Sequence, residues 1–132
     1  MPPTLATAQE RTQAARIIRA GYRYSDLEAL ASRLALSADQ LLKYLRLSRS
    51  TVRSRAATDA PLSPTESDLI YRADRVLGRA VEAFGDASDA AGWLKHPQRA
   101  LGGVAPLSLV DTTAGFEQVM DELGRIEYGA IA

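Results

Sequence analysis

Apolar residues recur along this chain at three- and four-residue steps, and no stretch sustains period-two alternation, so the sequence predicts an all-α fold. A first helix is expected from about Thr7 to Ala20, with Ala14, Ile17 and Ile18 on its apolar face and Gly21 available for a left-handed cap. Ser25 reads as the N-cap of a second helix over Asp26 to Leu34, which puts Leu27, Leu30, Ala31 and Leu34 on one side. Ser37 opens a third, whose Leu41, Leu42 and Leu45 are core candidates. After Arg46 and Leu47, a short fourth helix begins at Ser48 and turns Val52 and Ala56 inward.

The segment Thr58 to Ser63 gathers Asp59, Pro61 and Ser63 between periodic stretches and divides the chain into regions 1–60 and 61–132. Directly after it, Ser63, Pro64, Thr65 and Glu66 form a capping box with proline at the first helical position. The helix it starts is expected to reach Phe84. Leu69, Ile70, Ala73, Val76, Leu77, Ala80, Val81 and Phe84 make its stripe, and Gly85 ends it. A further helix is expected over Asp89 to Lys95, a turn-rich stretch over Pro97 to Pro106, and a helical turn around Leu107 to Val110. A last helix from about Thr113 carries Phe116, Val119, Met120, Leu123 and Ile126.

Sixteen basic and sixteen acidic residues cancel over the whole chain, but the cancellation hides two halves of opposite sign. Residues 1–60 hold ten Lys and Arg against five Asp and Glu, a net +5, and residues 61–132 hold six against eleven, a net −5. One half is therefore suited to phosphate and the other to a different partner. With 46% hydrophobic and 24% charged residues the composition is that of a folded protein. The absence of cysteine excludes disulfides, thiolate metal sites and cysteine nucleophiles. No segment approaches the roughly 18 apolar residues of a membrane span, and Met1 to Glu10 lacks the features of a secretory signal. A cytoplasmic protein without a membrane partner is expected.

Ser37 to Arg55 has the layout of a helix-turn-helix: an apolar helix, a tight turn at Leu45 to Ser48, and a short arginine-rich helix. Lys43, Arg46, Arg49, Arg53 and Arg55 supply five positive charges in thirteen residues with no acid among them, which is what phosphate binding requires. Ser48, Ser50, Thr51 and Ser54 add hydroxyls able to bond phosphate oxygens or base edges. The alternative is a solvated basic face on an ordinary helical hairpin. Arg46 stands where such turns often place glycine, so a strained or rearranged turn is expected there.

His96, the only histidine, precedes Pro97 and has no acid pair at ligand spacing, so it reads as a loop residue and no metal is expected. Trp93, at the end of an apolar turn with Leu94, reads as a core residue or a partner contact. Nothing groups an acid, a base and a nucleophile, and no cofactor is implied. The ending from Gly124 to Ala132 allows two readings: a helix end capped by Gly129 with Tyr128 and Ile131 tucked back, or a plug that orders in a partner's pocket.

Several runs taken together resemble the Xre/MbcA/ParS antitoxin family from about Leu62 onward. They are Leu62-Ser63-Pro64-Thr65-Glu66-Ser67-Asp68, Trp93-Leu94 to Pro97, Arg99-Ala100-Leu101-Gly102-Gly103, Pro106-Leu107 and Gly124-Arg125-Ile126-Glu127-Tyr128-Gly129. Ser25 to Ala56 is more loosely similar to the Xre-type DNA-binding region that precedes this domain, with Arg46 departing from the usual glycine. The resemblance implies a non-catalytic antitoxin of a type II pair. Its C-terminal domain would block a RES-domain toxin that consumes NAD or transfers ADP-ribose, its N-terminal region would repress the pair's own operator, and the chain would form a homodimer.

On that reading the toxin-binding residues are Trp93, Leu101, Arg125, Glu127, Tyr128, Gly129, Ile131 and Ala132. Glu127 and the carboxylate of Ala132 would oppose a basic cofactor pocket while Tyr128 stacks in place of a cofactor ring. A stand-alone transcriptional regulator whose acidic half only dimerises is the competing interpretation.

Overall fold

The computed structural model describes residues 8–129, and among them the chain is helical throughout, with no strand. Helix α1 (Ala8–Ala20) precedes α2 (Tyr24–Arg33), α3 (Ala38–Tyr44) and α4 (Arg49–Ala57). A long α5 (Pro64–Phe84) follows, then α6 (Ala87–Lys95), 3-10 turns at Arg99–Leu101 and Pro106–Leu109, and α7 (Thr113–Gly129). The expected start of α1 at Thr7 lies outside the described residues.

Helices α2, α3 and α4 each end in a left-handed residue that is not glycine: Ala35, Arg46 and Asp59, with φ of 56°, 56° and 52°. In each case the following N–H reaches back around the turn, from Leu36 to the Ala31 carbonyl (2.8 Å), Leu47 to Leu42 (3.0 Å) and Ala60 to Arg55 (2.9 Å). These are Schellman closures, which satisfy carbonyls that the helix end would otherwise orphan. A side chain in that conformation costs about 1–2 kcal/mol, so the closures persist because flanking residues such as Leu34 and Leu45 are buried. Arg46 thus adopts the backbone for which glycine is the usual choice.

Helix starts follow carboxylates as well as hydroxyls, which moves two of them. Ser25 is not a cap. Helix α2 begins at Tyr24 because Asp26 accepts a hydrogen bond from the Arg23 N–H (2.8 Å). Likewise α6 begins at Ala87 rather than Asp89, because the Asp86 carboxylate accepts from the Asp89 N–H (2.8 Å). The Ser63 box forms as its sequence dictates, with Glu66 N–H to Ser63 Oγ at 3.1 Å and Ser63 N–H to Glu66 Oε1 at 2.8 Å. Gly85 closes α5 with φ of 74°.

Buried side chains of both regions join one cluster, running from Leu27, Leu41, Leu45 and Val52 to Ile70, Leu77, Leu94, Leu107 and Leu123. Helix α5 is its spine, packed by α1, α6 and α7. The stripe of α5 is consumed in this core: Ile70, Ala73, Val76, Leu77 and Ala80 are buried, and Leu69, Val81 and Phe84 partly so. The segment between α4 and α5 is pinned to the core, since Leu62 is buried and its N–H donates to the Tyr22 carbonyl (2.8 Å), while the Tyr22 N–H donates to Ser67 Oγ (2.9 Å). Gly21 makes this possible, because a Cβ there would run into the Leu62 carbonyl. Ile17, expected on the apolar face of α1, is exposed, and the half-buried stripe passes instead through Ala14, Ala15 and Ile18.

The turn-rich stretch contains the first 3-10 turn and an isolated antiparallel bridge between Gln98 and Val104 (3.0 Å), with Gly102 and Gly103 both left-handed. The second 3-10 turn leads to α7, whose first turn lies so close to the Leu109 carbonyl that only glycine fits at Gly115. Among the described residues no helix is long and apolar enough to cross a membrane, and no three His, Cys, Asp or Glu group to hold a metal.

Candidate functional site

Helices α3 and α4 and the Arg46 turn between them build the predicted helix-turn-helix. Val52, fully buried, holds α4 against the core. Ser48 caps the helix, its Oγ accepting from the Thr51 N–H (3.3 Å) and lying 3.2 Å from Ser50 Oγ. Ser48, Arg49, Ser50, Thr51, Arg53 and Ser54 are exposed, together with Arg46 in the turn and Lys43 on α3.

Acids supplied by the fold now face these cations. Asp39, in the first turn of α3, receives both Arg49 Nε (3.2 Å) and Arg53 Nη2 (2.9 Å) on one oxygen. The two arginine side chains remain 60% and 53% exposed, so the pairs are worth only about 0–1 kcal/mol each and a phosphate can displace them. Arg46 and Arg55, grouped with these cations by sequence, pair with other acids, Arg46 with its side chain still 65% exposed. Arg46 Nη1 lies 2.8 Å from Asp111 and 3.1 Å from the Ser108 carbonyl, and Arg55 Nε lies 2.9 Å from the largely buried Glu66. Lys43 has no ion-pair partner among the described residues.

On the C-terminal region, Trp93 is half-buried against Phe84, with ring centroids 5.8 Å apart at 48°, and its carbonyl accepts from Gln98 Nε2 (3.0 Å). Leu101 is a core residue. His96 lies in the loop after α6, its Nδ1 2.6 Å from the Gly92 carbonyl, to which it donates. Near the end of α7, Arg125 grips Glu122 through two guanidinium nitrogens, and this hydrogen bonding holds the Glu122 carboxyl below its ordinary range.

Glu127 turns back to Arg79 of α5 at 2.8 Å. Tyr128 is 37% exposed, and its phenol is pushed above the usual value by desolvation and then by the Glu127 carboxylate. Gly129, the last described residue, still lies in α7, so Tyr128 is helical. Ile131 and Ala132 lie outside the described residues.

This arrangement agrees with comparisons made along the chain. Residues 13–73 match the antitoxin Xre-like helix-turn-helix domain, and residues 79–129 match the antitoxin Xre/MbcA/ParS C-terminal toxin-binding domain. A protein named Prs ADP-ribosylating antitoxin from Sphingobium sp. is 30% identical over 125 residues, covering 88% of this chain and 79% of that one. This chain belongs to the Xre/MbcA/ParS antitoxin family.

Two family members named Antitoxin Xre are also similar. The one from Photorhabdus laumondii is 40% identical over 92 residues, and the one from Yersinia enterocolitica is 28% identical over 116. The matched segment is 67% of this chain and 62% of the Photorhabdus antitoxin's length, and 87% and 78% for the Yersinia antitoxin. Within the family frame, α3 and α4 fall in the helix-turn-helix match, and Trp93, Leu101 and the described end of α7 fall in the toxin-binding match, the first ending and the second beginning within α5.

Sequence reasoning passed over Asp111 and Arg79, whose partners are distant in the chain, and Asp39, whose partners Arg49 and Arg53 lie on the next helix. Arg79 carried one signal: an arginine beside Ala80 and one turn from Val76, it interrupts the apolar stripe of α5.

Proposed function

We propose that this protein is the antitoxin of a type II pair whose C-terminal region, 61–132, binds and neutralises a RES-domain toxin that consumes NAD or transfers its ADP-ribose, while region 1–60 binds the operator of the pair. The observation that carries the toxin-binding half is Tyr128: an aromatic residue left 37% exposed at the end of a well-packed α7, where the toxin-binding match stops. Aromatic side chains offer a large apolar area at low conformational cost, and they anchor interfaces when they enter a pocket. With Arg125, Gly129 and the outer edge of Trp93, Tyr128 forms the contact surface, Leu101 supports it from the core, and Ile131 and Ala132 continue it into the toxin.

The net −5 of this region complements a pocket built for the pyrophosphate of NAD. The antitoxin blocks that pocket and performs no chemistry of its own.

For the operator-binding half, Lys43, Arg49 and Arg53 neutralise phosphates, and Ser48, Ser50 and Thr51 at the start of α4 reach phosphate oxygens or base edges. Arg46 and Arg55 orient this surface through Asp111 and Glu66. One nine-residue recognition helix reads few base pairs, so the antitoxin acts as a homodimer on paired half-sites. The α5 stripe is used inside each protomer, so a dimer pairs through another surface.

Co-expression with the product of the adjacent gene tests this reading. The two proteins are expected to co-purify, and the co-purified partner to lack NAD-consuming activity until the antitoxin is stripped away. A neighbour that does not bind, or that stays equally active in the complex, overturns it.

A further inference from the structure

We infer that Glu127 works inside the antitoxin rather than on the toxin: Arg79 grips it from α5 and so holds the last turn of α7, with Tyr128 upon it, in the shape that the toxin meets. This rests on the toxin-binding reading above and assigns a positioning role within it.

Helical spacing is the first reason. Val119 and Leu123 are fully buried, and Glu127 follows at the same four-residue step, so the period of α7 carries Glu127 onto the core face. What it meets there is Arg79, whose side chain is only 9% exposed on a helix otherwise apolar on that side. Their 2.8 Å approach is an ion pair between α5 and α7 rather than an aligned hydrogen bond, since Glu127 Oε1 is buried without a donor, while half-exposed Glu82 accepts a long hydrogen bond from Arg79 Nη1 at 3.5 Å. Gly124, one turn before Tyr128, leaves bare backbone beside the guanidinium, and a Cβ there would stand 3.8 Å from Arg79 Nη2.

Burial makes the pair unequal. Glu127 keeps 25% of its side chain in contact with solvent and can hydrate if Arg79 is removed. Arg79 cannot do the same. Its Nη2 is already buried without an acceptor, so losing Glu127 would leave a buried cation facing only Glu82. Beyond Leu123 no side chain of α7 is fully buried, and Ile126 is only half so. The pair therefore links the final turn of α7 to α5, and its charge is compensated within the antitoxin rather than offered to a cationic pocket. Tyr128, the next residue along the helix, stays 37% exposed while its phenol lies close enough to Glu127 and Arg79 for both charges to act on it.

Amide hydrogen exchange of the full-length antitoxin, with and without the pair, tests this assignment. In E127Q the amides of residues 126–129 are expected to exchange about tenfold faster than in the wild type, with a smaller increase in R79M. An apolar pair of similar volume can replace a buried ion pair at little cost. R79M/E127M is thus expected to restore exchange to within about threefold of the wild type and to inhibit the co-purifying RES-domain protein as the wild type does. Should that variant fail to fold, R79Q/E127Q, with two neutral amides in contact, takes its place.

Wild-type exchange in both single variants would overturn the anchoring role. A double variant with an ordered last turn but no inhibition would show that the Glu127 carboxylate acts on the toxin itself, and would overturn the assignment in that way. A wild-type antitoxin that binds no RES-domain protein would instead sink the proposed function and leave the exchange result standing.

Discussion

Arg46, held in a left-handed backbone at φ of 56°, places its Nη1 2.8 Å from Asp111 Oδ2, so the turn that introduces α4 is tied to the residues that introduce α7. The same guanidinium bonds the Ser108 carbonyl, 62 residues away in the chain, at 3.1 Å. The position thus combines backbone strain, which destabilises, with tertiary bonding, which offsets it.

Substituting Arg46 separates these two effects. R46G relieves about 1 kcal/mol of strain and loses an exposed pair worth about 0–1 kcal/mol, so its urea midpoint should lie close to that of the wild type. R46A keeps the strain and loses the pair, and should be the less stable variant by about 1 kcal/mol. If R46A proves as stable as R46G, the left-handed turn carries no cost here.

Operator binding should depend on Arg49 and Arg53. Each phosphate contact removed flattens the slope of log affinity against log salt by about 0.9, so R49A/R53A should lose about 1.8 of slope and bind weakly. D39N removes the carboxylate that both arginines now share, and it should raise low-salt affinity several-fold. Electrophoretic or fluorescence titrations at several salt concentrations provide both readings. An unchanged slope in R49A/R53A would mean that α4 does not face the phosphates.

Deleting Tyr128 to Ala132 should leave an antitoxin that still co-purifies with its toxin but no longer silences it. Tyr128, already helical in α7, and Ile131 are each worth about 1.5–3 kcal/mol when fully buried, less than the body of the domain can supply, so the segment adds obstruction more than affinity. An assay of NAD consumption by the truncated complex decides the point, and full inhibition by the truncated chain would place the block in the body of the domain.

Acid should weaken α7 through Glu122. Its folded-state value is depressed, chiefly by the hydrogen bond from Arg125. The stabilisation is therefore complete above the ordinary glutamate value of about 4.3 and disappears as pH falls through the lower folded value. Urea midpoints followed from about pH 6 to about pH 2 should show the wild type more stable than E122Q at the upper end, and the two converging at the lower. Parallel curves would remove Glu122 from the acid response.

Light scattering should give twice the 14.2 kDa chain mass at micromolar concentration, as binding to paired half-sites requires. A monomer at that concentration would remove the homodimer.

The sequence by itself determined the helices and most of their limits. The box at Ser63 to Glu66, the stop at Gly85, the stripe of α5 and the inward Val52 all depend on contacts within about four residues, and those are legible in one dimension. The resemblance from Leu62 onward likewise lay in short motifs.

Tertiary structure decided what the charges do. Five cations between Lys43 and Arg55 form an acid-free run in the sequence, yet folding brings Asp39, Glu66 and Asp111 to four of them and leaves Lys43 without an ion-pair partner among the described residues. Glu127, a tail anion when read in order, becomes the partner of a buried arginine on α5. The apparent boundary at Thr58 to Ser63 became a turn fixed to one continuous core, through Leu62 and Gly21. Periodicity and capping are local and repeat with the helix, whereas an ion pair depends on where two distant helices cross, and one-dimensional spacing does not encode that crossing.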